Sequence, residues 1–155
     1  MRKLLLFSMV IALVPVVVSS QSTLAPTVQG VWSIVGETTI STNNATQPGV
    51  IIFTAKHYSL VHVASFTPRP ELPPDMSKAT PADFLAIWGD LAFGANSGTY
   101  EVSGATLTTH IVVAKNPQLM DGSQEFTFTF EGNDTLSLRV NRRADQRTFK
   151  LRRIE

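Results

Sequence analysis

Phe126-Thr127-Phe128-Thr129-Phe130-Glu131-Gly132-Asn133-Asp134-Thr135-Leu136-Ser137-Leu138-Arg139-Val140 is the stretch that decides the fold. Every second residue of its first five is aromatic, and apolar and polar residues alternate again from Leu136 to Val140. That period of two belongs to strands with one buried face. Glu131-Gly132-Asn133-Asp134 between them suits a tight hairpin turn, because Gly and Asn tolerate the positive φ such turns demand. Working outward, apolar and β-branched runs with short Gly, Asn or Asp breaks predict strands at 30–41, 48–55, 57–66, 98–103, 105–114, 123–131, 134–141 and 146–154. Eight sequential antiparallel strands close most naturally into an up-and-down barrel, since closure removes the unpaired edges of an open sheet.

One segment departs from this pattern. Residues 67–97 begin with Pro68, Pro70, Pro73 and Pro74 and then turn helical. Thr80 is a suitable N-cap, Pro81 fits the first helical position, and Asp83 complements the helix dipole. Phe84, Ile87, Trp88 and Leu91 recur at helical spacing and predict one apolar face. The helix is thus inserted between the third and fourth strands, either as a lid over an open mouth or as a plug on the barrel's end.

Composition narrows the chemistry. The 155 residues are 43% hydrophobic and 16% charged, enough apolar material for one folded domain. With no cysteine there is no disulfide scaffold, thiolate metal site or cysteine nucleophile. Of the three histidines, His57 and His62 are five apart on one strand and point to opposite faces, which argues against a metal site shared with His110. No cofactor is expected.

Residues 1–20 read as a secretory signal peptide: Arg2 and Lys3 precede an apolar run from Leu4 to Val18, and Val18-Ser19-Ser20 suits cleavage near Ser20. The run is shorter than the ~20 residues of a spanning helix. A secreted or periplasmic protein follows, with no stable membrane insertion after cleavage. Residues 21–28 would be a short linker and 29–155 the barrel domain. Losing the two signal cations turns the formal net charge of +1 into −1. Seven cations fall between Arg139 and Arg153, which makes the last hairpin basic, yet no exposed aromatics are interleaved and nucleic acid is not an expected partner. Asn44-Ala45-Thr46 and Asn133-Asp134-Thr135 match the glycosylation acceptor pattern.

Gly30-Val31-Trp32-Ser33-Ile34-Val35 resembles the opening strand of the bacterial and fungal lipocalin-like domain family, with its Gly-x-Trp signature. His57-Tyr58-Ser59-Leu60 with Arg69-Pro70 resembles the family's third strand and its exit. Gly98-Thr99-Tyr100-Glu101-Val102, Thr109-His110-Ile111-Val112 and Asn116-Pro117 resemble its central hairpin, and Gly132 to Leu138 its penultimate turn and strand. The resemblance runs from about residue 29 to the end. It departs where members often carry an arginine after the Gly122-like turn and this chain has Phe126 and Thr127. It implies a barrel and a candidate ligand cavity rather than an activity. It also implies that Gly30 and Trp32 close the narrow end, with a basic side chain of the last strand over the indole, Arg153 in preference to Arg152.

Function would lie in the lumen, which in an eight-stranded barrel is either filled by side chains or holds one small ligand. Tyr58, Leu60 and His62 share one face of the third strand, while Phe126, Phe128 and Phe130 make an aromatic stripe. Together with Trp88 of the helix, Tyr100 and His110, these are the candidate ligand-binding residues. The leading reading is a monomeric lipocalin-like protein binding a small hydrophobic molecule in the barrel lumen. One alternative is a barrel enzyme of cyclase or isomerase type using His110 for proton transfer, since an imidazole titrates near neutrality. Another is a solidly packed barrel with a structural or interaction role.

Overall fold

The computed structural model describes residues 27–38, 43–44, 48–63, 69–89, 92–142 and 147–155. The expected signal peptide and Leu91 lie outside these. Nine strands follow one another: β1 (Gly30–Thr38), β2 (Asn43–Asn44), β3 (Gly49–Phe53), β4 (His57–His62), β5 (Gly94–Ser103), β6 (Thr106–Ala114), β7 (Ser123–Glu131), β8 (Thr135–Val140) and β9 (Thr148–Arg153). Each of the longer strands pairs antiparallel with the next, and β1 pairs with β9 to close the sheet. The two-residue β2 and β3 both lie against the side of β1 opposite β9, so together they form one stave. The result is a closed eight-stranded up-and-down barrel with helix α1 (Pro81–Trp88) between the third and fourth staves, as the sequence alternation predicts.

The strand extents differ in one informative place. β5 begins at Gly94, four residues before the expected start, because Gly94-Ala95-Asn96-Ser97 has weak strand propensity of its own and is held by pairing with His62 to Ser59 of β4. Two register shifts bend the wall. One falls between Ile34 and Gly36 against β9, and one lies where Ser97 and Gly98 pair with Val113 and Ile111, leaving Val112 as the extra residue of β6. The interior is filled from several strands by Leu107, Leu136, Leu138 and Leu151, all but inaccessible to solvent.

The two ends of the barrel are built differently. At the narrow end Trp32 is fully buried and donates from Nε1 to the Val28 carbonyl at 2.7 Å. The Arg153 guanidinium lies 4.1 Å from the centre of its ring and donates to the carbonyls of Gln29 and Thr27, each at 2.7 Å, and of Asn133 at 3.2 Å. Gly30 has φ +132°, and a Cβ there would collide with that guanidinium and with the Glu155 carbonyl. One side chain thus ties the segment before β1 to the β7–β8 turn across a sealed end.

Helix α1 lies at the other end. Its start is fixed by a capping box in which Thr80 N donates to Asp83 Oδ2 at 2.7 Å and Asp83 N to Thr80 Oγ1 at 3.3 Å. Among the described residues of the expected apolar face, Ile87 is buried while Phe84 and Trp88 are exposed. The helix end and the segment after it are held through their carbonyls. Lys115 Nζ donates to Gly89 O at 2.7 Å and Phe93 O at 2.9 Å, and Arg69 donates to Ile87 O at 3.4 Å.

The sealed end yields a prediction. Replacing Arg153 by Met removes the cation from the indole face together with its charge-assisted hydrogen bonds to the Thr27, Gln29, Asn133 and Glu155 carbonyls, and is expected to cost about 2 kcal/mol. Urea denaturation should show a lower midpoint at unchanged slope, and a loss under about 0.5 kcal/mol would mean the cation is incidental to closure.

Candidate functional site

Alternation along β4 turns Tyr58, Leu60 and His62 into the barrel and leaves His57, Ser59 and Val61 outside. On β6 the inward set is Leu107, Thr109 and Ile111, and the bulge at Val112 restores an inward position at Ala114. His110 therefore points outward, half-exposed, with Nε2 at 3.6 Å from Glu101 Oε1 on the same outer surface. The expected lumen position of His110 is corrected by this parity: both faces of β6 are mixed in sequence, and only the cross-strand register separates them.

The lumen itself is nearly solid. Its deep part is a space of about 30 Å³ among residues such as Phe53, Tyr58, Leu107 and Leu138, room for about one water. Tyr58 donates its phenol proton to Asn96 Oδ1 at 2.7 Å, and burial pushes its pKa up. Thr109, the buried polar residue of this layer, donates to Gln124 O at 3.2 Å.

Above this floor, at the end away from Trp32, the barrel opens into a cavity of about 170 Å³. The two spaces share Leu60, Asn96, Gln124, Phe126 and Phe149 as walls. The upper one adds His62, Phe93, Lys115, Asn116, Leu119 and Arg147. No residue of α1 lines it; Phe93, in the segment after the helix, does. The lid reading therefore falls on that segment rather than on the helix.

His62 is the ionisable group built into this mouth. Its partners on the flanking strands are both glycine, Gly49 on β3 and Gly94 on β5. A Cβ on Gly49 would come within 2.8 Å of the His62 Cβ, and one on Gly94 would collide with Nε2, so the two glycines open the niche that the imidazole fills. The ring meets Phe149 edge-on at 5.9 Å. Burial, and secondarily the charge of Arg147, lower its pKa from 6.5 to about 4, so it is neutral near pH 7. Arg147 Nη1 in turn lies 3.8 Å from Glu37 Oε1.

The remaining candidates separate. Phe126 is buried in the mouth, but Phe128 and Phe130 lie beyond the β5–β6 turn, at the sealed end, where Phe130 packs 6.3 Å from Trp32. Tyr100 also belongs to that end, packed 5.0 Å from Phe53 and donating to Thr54 O at 2.6 Å. These three line a groove of about 360 Å³ on the outside of the closed end. Trp88 stands 52% exposed at the rim, edge-on to Phe93 at 6.0 Å. The mouth residues that sequence reasoning missed, Phe93, Asn96, Lys115, Gln124, Arg147 and Phe149, come from three separate parts of the chain. Among the described residues no group of three or more His, Asp or Glu could hold a metal ion, and no helix is long and apolar enough to cross a membrane.

The neutral His62 makes stability depend on pH in a definite direction. Its folded pKa lies below its unfolded value, so the unfolded chain takes up a proton first, and stability is lost as pH falls from about 6.5 towards 4. The loss between pH 7 and 4.5 should exceed that of the His62→Gln variant by about 2 kcal/mol in urea titrations. Equal losses in the two proteins would show that the imidazole titrates normally.

Comparison with known proteins places this geometry. The family profile described as lipocalin-like domain matches residues 29–152. A lipocalin-like protein from Bacteroides uniformis superposes with a TM-score of 0.51 at 13% identity, over 81% of this chain and 97% of its own. An uncharacterized protein from Bacteroides eggerthii gives 0.46 at 8% identity, over 81% and 98%. No functionally curated protein matches. The match to the profile spans the whole barrel from before β1 into β9, and the chain belongs to the lipocalin-like domain family.

Proposed function

We propose that this protein is a binding protein for a small, largely apolar molecule, held at the mouth of the barrel rather than deep in it. The observation that carries the reading is the contrast between a floor with room for one water and a mouth of about 170 Å³ walled by Phe93, Phe126, Phe149 and Leu60. Concave, mostly apolar walls with a few convergent polar groups are the general form of small-molecule sites. This volume is below the ~300 Å³ at which drug-sized pockets begin, and close to the ~150 Å³ that takes a benzene ring. The ligand is therefore compact.

The signal-like residues 1–20 support export, so the proposal includes a secreted or periplasmic location after cleavage near Ser20. Proton transfer by His110 receives no support, since that imidazole is on the outer wall.

Native mass spectrometry of the protein purified from its own culture supernatant or periplasm, with extraction of anything released, tests the reading. A stoichiometric apolar passenger is expected. The Leu60→Trp variant, which fills the mouth from its wall, should remain folded and lose uptake of a small hydrophobic fluorescent probe by at least about tenfold. An empty wild-type protein that also ignores the probe would overturn the proposal.

A further inference from the structure

The outer wall of the barrel is divided by charge. On β7 to β9 its outward residues include Glu125, Arg139, Lys150 and Arg152, all exposed. On β3 to β6 the described outward residues from the open end down to Ser97 are uncharged. Val50 and Ile52 on β3, Val61 on β4, and Val112 and Val113 on β6 stand there between 37% and 66% exposed. Cross-strand register fixes their arrangement: one row runs Ile52, Ser59, Ser97, Val113, and the row above it Val50, Val61, Ala95. Ser59, Ala95 and Ser97 have small side chains, so the centre of the wall is a shallow trough. Beside it the bulge raises a knob. Adjacent residues of a regular strand point to opposite faces, but Val112 and Val113 are both exposed, because the bulge turns two consecutive valines outward. Charges stand at the margins. Lys115 beside Ala95 is turned onto the carbonyls of Gly89 and Phe93, Asp121 meets β6 at Ile111, and Glu101 lies about 13 Å along β5 from Ser97.

We propose that this wall is the contact between two copies of the chain, a weak symmetric homodimer rather than the monomer expected from the sequence. A two-fold contact needs a surface that is complementary to itself, and a knob beside a trough on one face is such a surface. An axis along β5 through Ser97 places Val113 of one copy over Ser59 of the other, because the two residues lie in one row on either side of β5. Rotation about that axis keeps the rows level, so the two walls meet as aligned sheets. Charge points to the same occupant. A charged group of a different protein set against these valines would lose its water without a counter-charge, whereas a second copy brings valine, isoleucine and small side chains. Size sets the strength. The apolar face is on the order of 400 Å², in the range of the largest patches carried by monomers, and two such faces bury less than the ~1,200 Å² at which stable complexes begin. The contact is on the side of the barrel, so it leaves the mouth of each copy open and does not depend on what binds there.

Sedimentation equilibrium of the wild-type protein tests this. Its average mass is expected to rise from one chain towards two between about 10 µM and about 1 mM, and dilution over that range should shift the methyl resonances of Val61, Val112 and Val113. Val113→Lys and Ser59→Glu each place a charge in the contact and should weaken association at least about tenfold, with urea midpoints showing that both variants stay folded. Mixed in equal amounts, the two should associate again, because the new ammonium of one faces the new carboxylate of the other. A wild-type protein that remains a single chain at about 1 mM would leave the face to some other partner and overturn the proposal. Association that persists in both variants, or a mixture that fails to re-form the dimer, overturns it equally, since either result puts the contact elsewhere.

Discussion

The pairing of β1 with β9 is the constraint on which the rest of this molecule depends. It converts a meander of short strands, any of which would be marginal alone, into a sheet without free edges. Closure also fixes an inside, so every alternating strand has only one face on which its apolar residues can be buried. A closed sheet of this kind still has two open ends, and the chain treats them differently. One is sealed by Trp32 with Arg153 over it, while the other is left to Phe93 and a helix tethered through its carbonyls. The position of the mouth is a consequence of that asymmetry.

Legibility in the sequence follows the same division. Strands whose alternation is strong, such as β7 and β8, are readable to within a residue, and their Gly132 turn with φ +67° is the conformation that the Gly-Asn pair suggests. The capping box of α1 is equally plain in Thr80 and Asp83. Where both faces of a strand are mixed, periodicity has no means of choosing. β6 carries Thr, His and Val outward and Leu, Thr and Ile inward, and the choice is made by register with β5 and β7. That is why His110 looked central and proved peripheral.

The mouth was the least legible part, for a geometric reason. Its walls are assembled at strand ends, where alternation is lost and a residue's direction is set by loops. Phe93 follows the helix, Lys115 and Asn116 follow β6, and Arg147 precedes β9. A basic run between Arg139 and Arg153 reads as one solvated face, yet the fold sends its members to opposite ends: Arg153 to the sealed one, Arg147 to the open one. One signal was present and went unread. Gly49 and Gly94 each stand at a strand end, and glycine beside a pleated neighbour often marks the close approach of a large side chain. Here both mark the same histidine.

His62 shows how size and charge act together at this site. An imidazole buried in the barrel wall must either be paired with an acid or remain neutral, and the charge that acts on this one is that of Arg147, a cation. The chain accepts a neutral imidazole in the mouth wall, although phenylalanine would pack there without any polar atoms. Its glycine flanks show that the space is made for this ring and that it is no accident of a loose rim.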